Sequence, residues 1–339
     1  MSLLTIFIPT YNRSSLLDEC LRIIYDELMA LDTAQQNQVE IVVSNNCSTD
    51  NTEEVVRNYQ RLLPSVRYNY NEANLGAEAN IGLALKFSNY KYLWVLGDDD
   101  HIEKGALKTL LLELEKAYPS VILNYSVWDS KMMKKVRSKK FKISNDLYLN
   151  QDEIMKIFGP HLGFISMLII DKNLLKIGFK ECENTSLITP GWPLLAGVYA
   201  ALRHTDDKSI FIHKVMIRNR SGNSHLSNWD EIFVDGFWQI FSENGGLNYS
   251  KRDLSLARAL VVKDFIFWRI VYQLYLEKNS EKSLRYANLY PKFGDTAVFW
   301  TRVFPLLVLG GSWPIKFIIK YLLPLYYYLK QKKDGQNEN

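Results

Sequence analysis

Cysteine is scarce in this 339-residue chain. Cys20, Cys47 and Cys182 are odd in number and widely scattered, which excludes a disulfide framework and a zinc site and fits a reducing compartment. Long apolar runs are missing too. Residues 303–315 hold 13 uncharged positions, but Gly310 and Gly311 interrupt them, and a membrane span takes about 20 predominantly apolar residues. A longer uncharged tract at 184–202 is broken by Pro190, Gly191 and Pro193. Charge of one sign is also lacking. The net +4 is too small to argue for nucleic acid as a partner, and +3 of it sits in the tail, where five lysines follow Trp313 against Asp334 and Glu338. The N-terminus has neither the basic start nor the small-residue cleavage site of a signal peptide. The expectation is a cytoplasmic globular protein.

What is present is alternation. Residues 3–8, 39–43, 66–70, 91–96 and 120–125 read as strands, and the segments between them recur at helical spacing. Leu17, Cys20, Leu21, Ile24, Leu28 and Leu31 form the first apolar stripe, with Ser14 or Ser15 as the expected N-cap. Residues 76–88 read as one helix, and Asp50 is placed to cap the helix carrying Glu53 and Glu54 in its first turn. Strands alternating with helices predict an α/β fold, a mostly parallel sheet flanked by helices, whose ligands sit beyond the carboxyl ends of the strands. "GFISMLIID" and "SIFIHKVMI" read as later strands with a helix between them. Past residue 225 the pattern turns helical, predicting a separate C-terminal region over 226–339. Within it, the stripe at positions 315, 318, 319, 322 and 325, flanked by Lys and aromatics, suits a helix lying in a membrane interface. A terminal helix packed on its own domain shows the same stripe. Seven basic residues and no acid between 131 and 142 read as a solvated hairpin or a phosphate or membrane contact.

The stretch "VLGDDDH" sets three carboxylates at a strand end, where like charges repel. A hard divalent cation, Mg²⁺ or Mn²⁺, relieves such repulsion and keeps positions open for phosphate oxygens.

In order and context, "IPTYNR" (residues 8–13), "VVSNNCSTDNT" (42–52), "NLGAEANIGL" (74–83) and "GDDDHIEKGAL" (97–107) resemble the family 2 glycosyltransferases, whose fold is called GT-A. The resemblance is specific over 3–125 and weaker over 160–225. Within the family it is most like the bacterial O-antigen and capsule transferases, the abequosyltransferase-like group included. It implies an inverting, metal-dependent transfer of a sugar from a UDP-, CDP- or other nucleotide diphosphate sugar to a glycan or lipid-linked saccharide at the inner membrane face. The metal ligand falls on Asp99, with Asp100 in close support, and Asp98 orients the loop or contacts ribose. Gly97 stands where the family has its first acid. Pro9, Thr10, Tyr11 and Arg13 line the nucleotide floor, with Asn74, Gly76 and Asn80 beside them. Asn45 and Asn46 replace the usual Asp-Asp, and since an amide both donates and accepts, Asn46 suits uracil or cytosine.

Arg218, Arg220 and His225 are candidates to close over the diphosphate. Trp192 is a candidate stacking platform for an acceptor sugar. The family's acidic base has no counterpart in "NTSLITPGWPLL"; Glu181, Glu183 and Asp129 are the nearest carboxylates. That absence leaves two alternatives: a polyprenyl-phosphate acceptor, whose nucleophile needs no strong base, and a catalytically degenerate binding or scaffold subunit.

Overall fold

The computed structural model describes residues 2–185, 191–222, 229–276 and 286–309. The chain divides into two compact units, one of residues 1–227 with 246–248, the other of 228–245 with 249–339.

In the first unit, β1 (Leu4–Thr10) leads through α1 (Ser14–Met29) and α2 (Thr33–Gln36) to β2 (Val39–Asn45), α3 (Thr52–Leu62) and β3 (Val66–Tyr70). Short helices α4 (Ala77–Gly82) and α5 (Ala84–Phe87) precede β4 (Tyr92–Val95), the two-residue β5 (His101–Ile102) and α6 (Ala106–Leu114). Then come β6 (Ser120–Trp128), β7 (Lys135–Arg137), β8 (Leu147–Leu149) and α7 (Gln151–Phe158). The unit closes with β9 (Leu168–Asp171), α8 (Lys172–Asn184), α9 (Pro193–Leu202) and β10 (Ser209–Arg220). One sheet runs in the order β3-β2-β1-β4-β9-β6-β10-β5, with β7 on β6 and β8 on β10.

Parallel pairing holds from β3 to β4 and between β6 and β10. β9 runs antiparallel to both neighbours, and β5, β7 and β8 also pair antiparallel. The sheet is therefore mixed, not mostly parallel. A run such as "LIID" is equally apolar in either direction, so periodicity carries no information on strand polarity. Buried side chains line the inner strands; each fully buried Leu, Ile or Phe contributes about 1.5–3 kcal/mol.

Several local expectations change. "GFISMLIID" forms a strand only from Leu168; before it, 3₁₀ turns run through residues 159–163 and 165–167. There the Ser166 carbonyl accepts from Trp94 Nε1 (2.7 Å) and its hydroxyl oxygen accepts from Gly97 N (2.9 Å), contacts that a strand ladder would not permit. Residues 76–88 break into two helices at Leu83. Neither Ser14 nor Ser15 caps α1, whose N-cap is Arg13 without a side-chain bond. The orphan Ser14 amide instead donates to Asp50 Oδ2 (2.8 Å), while Asp50 Oδ1 accepts from Thr52 N (3.1 Å) and Oγ1 (2.5 Å). One carboxylate thus serves the starts of α1 and α3. Glu27 does similar work, its buried carboxylate accepting from Gly105 N and Leu107 N at the start of α6.

The second unit is helical: α10 (Phe237–Phe241), α11 (Lys251–Val261), α12 (Phe267–Leu276), α13 (Tyr286–Phe293) and α14 (Phe304–Leu309). Its interior packs Phe233, Phe237, Phe241 and Phe265 ring on ring. The buried Arg258 guanidinium donates to Phe241 O (2.5 Å) and pairs with Asp295, so its charge is not left bare. Among the described residues no helix is long and apolar enough to cross a membrane. The stripe expected over 315–329 lies outside them.

Candidate functional site

At the carboxyl ends of β1 and β4 the first unit opens a pocket of about 740 Å³. Of the residues expected there, Pro9, Thr10, Tyr11, Arg13, Asn46, Asn74, Gly76, Asn80, Asp98, Asp99, Asp100, Trp192 and Arg220 all line it. The half lined by 162–165 and 192–195 is mainly apolar, and the ring of Trp192 lies over Gly163, where a Cβ would come within 2.5 Å of it.

The acidic loop after β4 separates its three carboxylates. Asp98 is buried, accepting from Thr10 Oγ1 (2.7 Å) and Arg13 Nη1 (3.0 Å). Burial pushes its carboxyl up to about 6, with Arg13 and the Thr10 hydroxyl pulling the other way. Asp100 is buried as well. Its Oδ2 accepts from Ser166 Oγ (2.6 Å), and its Oδ1 from Asn219 Nδ2 (3.0 Å) and Arg220 N (3.3 Å). Burial, reinforced by the charge of Asp99, lifts it to about 7. Asp99 is the more open acid, its side chain 18% exposed against 4% for Asp98, and Arg13 Nη1 stands 3.4 Å from its Oδ2. Burial opposes the charge on Arg13, yet the three aspartates hold its guanidinium above the ordinary range.

Asp100, expected beside an ion, thus has both oxygens engaged by protein donors. Among the described residues no group of three or more His, Cys, Asp or Glu is arranged to hold a metal. The carboxylate that could accept a divalent cation here is that of Asp99. Gly97 explains the missing first acid. A Cβ there would meet Asp100 Oδ2 at 3.0 Å and Asp99 Oδ1 at 3.2 Å, so a side chain would require these carboxylates to shift by a few tenths of an ångström.

Arg220, at the end of β10, braces this loop. Its Nε donates to Asp99 O (3.2 Å), Nη1 to Ser130 O (3.0 Å) and Nη2 to Glu19 Oε2 (2.5 Å). Nη2 also lies 3.2 Å from His101 Nε2. Burial and the neighbouring guanidinium push His101 down to about 4, which leaves a neutral ring able to accept at Nε2.

The asparagines form a second construction. Asn46 donates from Nδ2 to Asn74 Oδ1 (2.8 Å) and Gly76 O (3.2 Å) and accepts at Oδ1 from Asn71 Nδ2 (3.1 Å) and Leu75 N (2.9 Å). Asn80 accepts from Ser44 Oγ (2.7 Å) and donates to Ser44 O (3.0 Å). Asn45, which does not line the pocket, donates to Tyr68 Oη (2.8 Å) and accepts from Ser48 N (2.9 Å). Asn46 holds the 74–76 loop, where Gly76 takes a φ of 83°, a backbone that favours glycine. Asn46, expected to read a base, has its donor and acceptor atoms engaged in this frame.

Three expected bases fall elsewhere. Glu181 pairs with His204, Glu183 is exposed on α8, and Asp129 Oδ1 accepts from Met133 N (2.8 Å) and Lys134 N (3.1 Å) in a turn; none lines the pocket. Arg218 does not line it either, facing Glu103 at 3.3 Å, and His225 lies outside the described residues. Sequence reading missed Ser166, Asn219, Glu19 and the pocket-lining Glu78. The roles of Ser166, Asn219 and Glu19 arise from contacts between distant segments, which no local pattern signals.

A sheet whose parallel strands end at an acidic loop beside an asparagine-braced loop defines the α/β class with the GT-A fold. Residues 5–169 match the model described as Glycosyl transferase family 2, and this domain belongs to that family. Abequosyltransferase RfbV of Salmonella typhimurium is 36% identical over 118 residues, 33% of this chain and 33% of that protein. The GalNAc(5)-diNAcBac-PP-undecaprenol beta-1,3-glucosyltransferase of Campylobacter jejuni is 30% identical over 125 residues, 37% and 38% of the two chains. These matches thus span about a third of the relatives' length. Among solved structures, S. aureus TarS 1-349 in complex with UDP-GlcNAc superposes with a TM-score of 0.58 at 16% identity, covering 82% of this chain and 77% of that one. Mannosyltransferase PcManGT from Pyrobaculum calidifontis, in complex with GDP-Man and Mn2+, reaches 0.51 at 15% identity, covering 78% and 71%.

Proposed function

We propose that this protein is an inverting glycosyltransferase that moves a sugar from a nucleotide diphosphate sugar to a glycan acceptor, a lipid-linked one in bacterial surface polysaccharide synthesis. The observation that carries the reading is the division of the acidic loop, with Asp98 and Asp100 buried against protein donors and Asp99 open to the pocket. Asp99 would hold a divalent ion, Mg²⁺ or Mn²⁺. Such an ion neutralises charge developing on a diphosphate leaving group. Tyr11, 42% exposed at the pocket, offers a face for the base, and the 74–76 loop borders the nucleotide. In the transfer an acceptor oxygen bonds to the anomeric carbon as the bond to the diphosphate oxygen breaks, and a hydroxyl acceptor also releases its proton. Contact with the inner face of the cell membrane belongs to the same reading, since a lipid-linked acceptor is presented there.

A second reading, a polyprenyl-phosphate acceptor, draws on one further observation. The carboxylates lining the pocket among the described residues are Glu78 and the three loop aspartates, and a phosphate nucleophile is already ionised. The test is thermal stabilisation by UDP-, CDP-, GDP- and dTDP-sugars with and without Mn²⁺. Stabilisation by none of them would favour a scaffold subunit instead.

A further inference from the structure

The segment between β6 and β8 is a hairpin that the sugar-transfer reading does not use. Residues 131–142 hold seven basic side chains and no acid, whereas the whole chain nets +4, so the remainder is net negative. All three residues of β7 are exposed. Met133, at the tip, is 80% exposed, the most open large apolar side chain among the described residues, and Val136 is 44% exposed beside it.

The tip is built to hold that shape. Asp129 N donates to Lys134 O (2.9 Å), and Met132 N donates to Asp129 O (3.0 Å) with Met132 at a φ of 55°. Asp129 Oδ1 gathers the amides of Met133 and Lys134. The thioether is therefore presented by a closed turn, with Lys131, Lys134 and Arg137 exposed in the same segment. The base of the hairpin is fastened to the pocket rim. Trp128 O accepts from Ser221 N (2.9 Å) and Oγ (2.6 Å), Ser130 O accepts from Arg220, and both Arg220 and Ser221 line the pocket.

We propose that the hairpin of residues 129–142 is a docking surface for an anionic lipid bilayer, seating the pocket rim beside the membrane. An apolar tip inside a basic collar matches an interface in which apolar atoms enter the headgroup boundary while lysines meet anionic headgroups. Single-stranded nucleic acid fits less well, because stacking needs open aromatic faces. The hairpin's rings are committed: Trp128 lies against Lys135 and Arg218, and Phe141 packs among Tyr125, Phe158 and Phe211. The inference rests on this surface alone, so a failed nucleotide screen would leave it standing.

The full chain is sedimented with vesicles of phosphatidylcholine alone or mixed with phosphatidylglycerol, at low and high salt. Binding is expected to the anionic vesicles only and to weaken with salt. Each positive charge removed costs about fivefold in partitioning, so the Lys131→Ala, Lys134→Ala, Arg137→Ala triple variant loses about a hundredfold. Met133→Asp also weakens binding, while Lys104→Ala with Lys108→Ala, on an exposed face elsewhere, costs far less than the triple variant. Thermal melting of each variant confirms that the fold is intact. Equal binding to neutral vesicles, unchanged binding by the triple variant, or hairpin-dependent capture of a single-stranded polynucleotide as tight as that of the vesicles would each overturn the proposal.

Discussion

Ser166 Oγ donates to Asp100 Oδ2 at 2.6 Å and, with the same oxygen, accepts the Gly97 amide at 2.9 Å. One hydroxyl thus closes the acidic loop against the turn before β9. Ser166→Ala leaves a buried amide and a carboxylate oxygen without this partner. Chemical denaturation should show a loss of about 1–3 kcal/mol, and donor binding should weaken as the loop loosens. An unchanged denaturation midpoint would show that the hydroxyl is not needed to close the loop.

Asp99→Asn keeps the volume and removes the charge at the open acid. We expect metal-dependent stabilisation by nucleotide sugars to vanish while the free protein still melts in a single cooperative transition. Titration calorimetry with Mn²⁺ and each nucleotide reads this directly. Full retention of binding would remove Asp99 as the ion's ligand.

Restoring the family's acid at position 46 should do harm. In Asn46→Asp the side chain can no longer donate to Asn74 Oδ1 and Gly76 O, and a buried charge then faces two acceptor oxygens. A destabilisation of about 1–3 kcal/mol is expected, with the 74–76 loop exchanging its amide protons faster. A neutral outcome in hydrogen exchange would mean that the asparagine frame does not hold the loop.

Asp50 sets an acid limit on stability. Burial works against its charge, but hydrogen bonds from Thr52 and Ser14 outweigh it and draw the carboxyl below its ordinary value of 3.8. The folded state therefore binds this proton less readily than the unfolded chain. The contribution is fully present above that ordinary value and fades as pH falls through the lower folded one. Asp50→Asn should flatten the loss of stability below about pH 4, measured as melting temperature against pH. A variant curve parallel to that of the parent would dismiss the effect.

The parts of the site that sequence reading located are those coded locally. Strand ends at Thr10, Asn45 and Val95 lie at or within a residue of the motif positions, because an apolar run followed by a polar turn and a helical stripe is a short-range pattern. The division of labour among Asp98, Asp99 and Asp100 was only partly legible. It depends on Ser166, 66 residues from Asp100, and on Asn219, 119 residues away, delivered by a strand that runs three residues beyond its apolar core. The bonds that tie Asn46 to the 74–76 loop were not legible, because an amide's hydrogen-bonding capacity is visible in sequence and its partners are not. The polarity of β9 escaped for a similar reason: direction is decided by pairing, which a strand's own residues do not record.

Arg220 makes the hairpin and the acidic loop one mechanical assembly. A single guanidinium grips Ser130 at the root of the hairpin and the Asp99 carbonyl on the floor of the pocket, with Glu19 of α1 as its anchor. The root of the hairpin and the Asp99 backbone thus share one side chain, the Arg220 guanidinium. Under the two proposals made above, membrane docking and donor binding would meet at this one rivet.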